Sequence, residues 1–103
     1  MARAKKEEAK KPEYNFDFMN EAAGRGVVKR VLVSTDKVNK YSIDVPQTTE
    51  KGKISHSYLT LTEFTSDDAL DEGTAVEYHG RVATSKYNDK YTTEIIADAI
   101  EEI

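Results

Sequence analysis

Residues Gly80–Ile100, GRVATSKYNDKYTTEIIADAI, decide how this chain is read. Val82 and Thr84 on one side of Asn88-Asp89, and Thr92, Thr93, Ile95 and Ile96 on the other, are β-branched and favour extended backbone. Asn and Asp tolerate the backbone geometry of a tight turn better than most residues, so the stretch predicts a hairpin turning at Asn88-Asp89. Its tip then carries Lys86, Tyr87, Lys90 and Tyr91, two cations and two rings. In a purely structural reading, Tyr87 and Tyr91 form a cross-strand aromatic pair that holds the register.

Upstream, VVKRVLVST from Val27 is rich in β-branched residues, and KYSIDV alternates Tyr41, Ile43 and Val45 before Pro46. These predict two strands joined by a turn near Asp36–Asn39, with Pro46–Lys53 as the next loop. ISHSYLTLTEF predicts a third strand, with Leu59 and Leu61 on one face and Tyr58, Thr60 and Thr62 on the other. After Phe64, Thr65 or Ser66 can cap a short helix ending at Gly73. The fourth strand is expected to turn Val76, Tyr78, Val82 and Thr84 inward, with Gly80 at a bend or bulge. Three strands, a short helix and two strands predict an all-β fold with one short helix, a five-stranded Greek-key OB-fold barrel. Residues 25–103 form the barrel domain in this reading, and residues 1–24 an N-terminal extension, largely flexible. Met1–Glu13 holds five basic and three acidic side chains, a mildly positive tail that could meet phosphate. Tyr14, Phe16 and Phe18 behind it alternate with polar residues and are expected to dock onto the domain or a neighbouring subunit.

The 103 residues suffice for one domain with a small core. A third of them are charged and the net charge is -4, which argues against a uniformly basic surface but not against a local basic patch. Absence of cysteine removes disulfides, thiolate metal sites and thiol nucleophiles together. No apolar stretch approaches a membrane span or a signal sequence, so the expected location is cytoplasmic, with no membrane partner. His56 and His79 are the two histidines, and Asp67, Asp68, Asp71 and Glu72 lack the spacing of a calcium loop. The glycines match no phosphate-cradling motif. We therefore expect no enzyme, no metal and no cofactor.

Binding is better supplied. Single-stranded nucleic acid is held by cations that follow the phosphates and by rings on which bases stack. Lys86, Tyr87, Lys90 and Tyr91 offer both at the hairpin tip. Lys51 and Lys53 add charge from the loop, and the third strand adds His56 and Tyr58; Lys29, Arg30, Lys37, Lys40 and Arg81 could line the same groove.

RGVVKRVLV resembles the opening strand of bacterial single-stranded DNA-binding proteins, through Gly26-Val27-x-Lys29 and Leu32-Val33. GTAVEYHGRVATSKYNDKYTTEIIAD resembles their last two strands, through Gly73, Val76, Gly80, Thr84-x-Lys86-Tyr87 and Tyr91-Thr92-Thr93-Glu94. The resemblance implies an OB-fold that binds single-stranded DNA by stacking and basic contacts, as a homo-oligomer, dimer or tetramer, working with replication, repair or mobile-element proteins. It places Tyr87 where the family has a stacking tryptophan, and His56 near another. Ala83 and Ser85 stand where basic residues are common in the family, and the chain has no tryptophan. Ending at Ile103, it is expected to lack the family's disordered linker and acidic tip, as a divergent, minimal relative. The alternative is the same barrel kept as a protein-interaction module with little or no nucleic-acid binding, which the net negative charge favours.

Overall fold

The computed structural model describes residues 13–103, apart from the side chain of Tyr87. Five strands form a closed barrel in the order β1-β2-β3-β5-β4. They are β1 Ala22–Ser34, β2 Asn39–Thr48, β3 Ile54–Glu63, β4 Ala75–Tyr87 and β5 Lys90–Glu102. Neighbours pair antiparallel except β3 and β5, which run parallel at Leu61 and Thr62 against Ile95 and Ile96. β1 closes the barrel by serving two partners. Its first half, Ala22–Val27, pairs with β4, and its second half, from Val27 to Ser34, pairs with β2.

The core follows the predicted alternation where the strands face the barrel interior. Val28, Tyr41, Ile43, Leu61, Val76 and Tyr78 are buried and pack together. Toward the hairpin the alternation loses its meaning: Val82 and Thr84, expected inside, are exposed, because the pairing of β4 with β1 ends at Gly80 and, past Val82, β4 and β5 run on as a two-stranded arm. Asn88 and Asp89 turn this arm with positive φ of 52° and 65°, the mirror-image geometry that suits the right-handed twist of a hairpin. The predicted bend at Gly80 is a register shift between His79 and Gly80. A Cβ there would overlap the Ile96 carbonyl group and lie 2.9 Å from Ala97 Cα, so only glycine lets β5 approach so closely.

Two further expectations are corrected. β2 continues through Pro46 to Thr48, where a loop was expected; beyond Asp44 it has no β1 partner, and an edge is where proline's missing N–H does no harm. The segment after Phe64 is no helix. Its backbone is claimed by the barrel instead: Thr65 N donates to Lys37 O at 3.0 Å, Gly73 N to Val28 O at 2.7 Å, and Leu70 N to the Tyr41 hydroxyl at 3.1 Å. Asp67 O accepts from the buried Asn39 side chain at 3.0 Å. A run this short cannot offset helix nucleation by itself, and tertiary hydrogen bonds win. Ala69 and Leu70 pack against the core from this segment.

Finally, Tyr14, Phe16 and Phe18 meet one another edge-on, with centroids 5.3–5.9 Å apart, and remain exposed. Asn20 ties the end of this segment to β4, its side chain exchanging two hydrogen bonds of 2.8 and 2.9 Å with the backbone of Val82. The expectation for Met1–Glu13 falls almost wholly on residues 1–12, outside the described residues. No helix among the described residues is long and apolar enough to cross a membrane.

Candidate nucleic-acid interface

Two irregularities in β1 create the outer face of the barrel. The register against β2 shifts between Val28 and Arg30 and again between Val31 and Val33. Each extra residue lets two consecutive side chains point the same way. Lys29 and Arg30 are both exposed, and so are Leu32 and Val33. Arg30 stands opposite Ser42, which stands opposite Thr60, so a row of polar and basic positions crosses the face from β1 to β3. Alternatingly, Asp44 faces Tyr58 and Lys40 faces Thr62 on this same face.

Lys29 Nζ lies 5.1 Å from the centroid of the Tyr58 ring, whose residue is 57% exposed. On the arm, Lys86 Nζ lies 5.7 Å from the Tyr91 ring, which is 72% exposed. Each pair is a cation–π contact that orients a ring while leaving area for a further flat partner. Between β1 and the arm runs an open groove of about 650 Å³, with Leu32 and Val33 on one wall, Ser85, Lys86 and Thr92 on the other, and Lys40, Thr60 and Glu94 between them.

Asp44 and Glu94, the carboxylates on this face, each have a partner. Glu94, nearly buried, receives hydrogen bonds at Oε1 from Thr62 Oγ1 and, at 2.9 Å, from Lys40 Nζ. Burial pushes its carboxyl up, but these two hydrogen bonds and the Lys40 charge outweigh that and hold it below the ordinary glutamate range. Asp44 accepts from His56 Nδ1 at 2.8 and 3.1 Å; a carboxylate only accepts, so this ring nitrogen carries the hydrogen.

Of the residues singled out from the sequence, the structure brings Lys86 to Tyr91 and sets Tyr58 under a cation. His56 is joined to Asp44. Tyr91 stands opposite Lys86, and Tyr87 opposite Lys90, so the two tyrosines are not the facing pair that the sequence suggested. The Tyr87 ring lies outside the described residues. Lys90 is exposed at the arm's tip, Lys51 and Lys53 are exposed at the β2–β3 turn, and Arg81 is exposed on β4 opposite Ile96. None of these four lines the groove. Lys40, considered as a phosphate contact, is instead held by Glu94 and Thr62. Sequence reasoning missed Glu94, Asp44 and the outward Leu32-Val33 pair. Lys40 and Glu94 are 54 positions apart, and no local pattern links them.

A closed five-stranded barrel with β1 shared by β2 and β4, and β3 parallel to β5, defines the OB-fold, whose β2–β3 face and flanking loops form its usual ligand surface. No protein-family model and no curated protein sequence matches the chain. Solved structures do. The SSB of Plasmodium falciparum in complex with ssDNA is 22% identical with a TM-score of 0.59, the match covering 87% of this chain and 97% of that one. The small single-stranded DNA-binding protein of Streptomyces coelicolor is 15% identical at a TM-score of 0.62, covering 81% and 91%. The dimeric N-terminal domain of the PriB protein from Thermoanaerobacter tencongensis is 19% identical at 0.57, covering 82% and 96%. At these identities the likeness establishes the fold, which is the one the sequence resemblance implied.

Proposed function

We propose that this protein binds single-stranded DNA without catalysis, across the outer face of β1, β2 and β3 and against the β4–β5 arm. The observation that carries this reading is the pair of lysine–tyrosine contacts: Lys29 with Tyr58 on the barrel, and Lys86, which lines the groove, with Tyr91 on the arm. Exposed rings with adjacent cations are the two components that single-strand binding requires. Arg30 extends the positive row, while Asp44 and Glu94 are each paired and so repel phosphate less. That two structural neighbours are described by their single-stranded DNA binding supports the same reading. Tyr87, Lys90, Lys51, Lys53, His56 and Arg81 extend the contact around this centre. The barrel, which begins with β1 at Ala22, is the binding unit and the residues before it are an extension to it, and the protein acts as a homo-oligomer beside replication, repair or mobile-element proteins.

A second reading, a protein-interaction module, rests on one feature: the exposed cluster of Tyr14, Phe16 and Phe18 beside Met19.

Substitutions on the face separate stacking from charge. Tyr58→Ala is expected to weaken binding to a single strand by roughly 1–3 kcal/mol with little change in salt slope. Lys86→Ala should lower that slope by about 0.7, one phosphate contact's worth. Folded variants that bind as the parent does would remove the face from the interface and leave the second reading.

A further inference from the structure

We propose that the groove between Leu32-Val33 and the β4–β5 arm is a base-selective subsite, taking one unstacked nucleobase that carries an exocyclic amino group and offering it Glu94 Oε2 as acceptor. The proposal rests on the single-stranded DNA reading and adds a preference to it.

Four observations carry it. The groove, about 650 Å³, has room for a base. One wall is apolar: Leu32 and Val33 stay 45% and 39% exposed, turned outward by the second β1 irregularity, and an apolar wall suits the face of a base better than a phosphate. Glu94 lies between the walls and is more than nine-tenths buried. Both of its hydrogen bonds, from Thr62 and Lys40, go to Oε1, and among the described residues Oε2 receives none. A nearly buried carboxylate oxygen without a donor calls for one from the ligand.

The chemistry then selects the ligand. An ionised carboxylate accepts and cannot donate, so it turns phosphate away and draws an N–H group. The N4 amino group of cytosine projects from the ring and is a standard donor to glutamate. Thymine offers N3–H, but a carbonyl oxygen flanks it on each side, and both oxygens face the carboxylate. Thr62 and Lys40 fix Glu94 beforehand, so little order is lost on binding. Cytosine and thymine are of similar size, so a preference between them reports the edge contact that seats the base against Leu32 and Val33.

The test is fluorescence anisotropy of the full chain with labelled oligo(dC) and oligo(dT) of equal length, at neutral pH and one salt concentration. Oligo(dC) should bind roughly fivefold tighter or better. In Glu94→Gln, the amide oxygen can keep the Thr62 and Lys40 bonds, which turns the NH2 group toward the groove. A donor then meets the cytosine donor, and the preference should vanish or reverse toward oligo(dT). Circular dichroism establishes that the variant is folded; if it is not, Leu32→Ser on the exposed wall should weaken oligo(dC) binding more than oligo(dT) binding. Equal affinities of the parent for the two strands, or an unchanged preference in folded Glu94→Gln, overturn the subsite while single-strand binding stands. If the parent binds neither strand, the broader reading falls and the subsite with it.

Discussion

Replacing Tyr41 by phenylalanine removes one oxygen atom that joins three parts of the barrel. From β2, the Tyr41 hydroxyl donates to Glu63 Oε2 on β3 at 2.6 Å and accepts from Leu70 N at 3.1 Å in the segment between β3 and β4. The ring is fully buried and stays so in phenylalanine, so the apolar contribution is nearly unchanged. What is lost is one hydrogen bond to a carboxylate, about 1.5–3 kcal/mol, and one from a backbone N–H, about 1 kcal/mol. Glu63 keeps its bond from Asn39, and both Glu63 and Leu70 are only half-buried, so water can replace part of the loss. We expect Tyr41→Phe to destabilise by roughly 2–4 kcal/mol, read as a lower urea midpoint at unchanged m-value. A pH series gives an independent reading. Burial, with the Glu63 hydrogen bond behind it, pushes the Tyr41 hydroxyl up to about 12. The folded state therefore holds this proton more tightly than the unfolded chain, whose tyrosines titrate near pH 10. Its contribution is complete below pH ~10 and is lost as the pH rises toward ~12, at most roughly 3 kcal/mol. Tyr41→Phe should lose most of that alkaline decline and keep the share of Tyr78, which burial also raises. A variant within about 0.5 kcal/mol of the parent, or one with the parent's full alkaline decline, would refute the role assigned to this hydroxyl.

Gly80→Ala should lower stability by roughly 1–3 kcal/mol, because the clash is with β5 backbone and no flexible side chain can yield; a melting temperature equal to the parent's would contradict it. At acid pH the sign is opposite to that of Tyr41. The Glu94 carboxyl is held below its ordinary range, so its contribution is present above that range and lost as the pH falls through the folded value. Thermal melts from about pH 6 to about pH 3 should show a shallower acid decline in Glu94→Gln than in the parent.

The hairpin arm was legible because its signals are local: Asn88-Asp89 accept positive φ, and the β-branched runs on either side have little choice but to extend. The inward alternation of Tyr41, Ile43, Leu61, Val76 and Tyr78 was equally plain. Leu32-Val33 was not, since adjacent apolar residues in VLV read as a buried strand, and only the register shifts against β2 turn both outward. The helix expected after Phe64 failed for a related reason: Thr65 does accept from Asp67 N at 3.1 Å, as a capping residue would, but the groups that claim the following backbone lie on β1 and β2 and their connection. Tyr58 and Lys86 could be named from residue type, whereas Lys29 over Tyr58 and Lys40 against Glu94 depend on strand pairing, which a local pattern does not encode.

The central claim is single-strand binding, and one titration addresses it directly. A labelled mixed-sequence single strand is titrated with the full chain at low and at moderate salt, with the matching duplex in parallel. We predict saturable binding of the single strand at low salt. Lys29 and Lys86, with one or two further cations, should give log affinity against log salt a slope of roughly -2.1 to -2.8. Stacking should leave measurable affinity at moderate salt, and the duplex should bind more weakly because its bases cannot reach the exposed rings. No binding of the single strand at low salt, or equal binding of the duplex, would contradict the account.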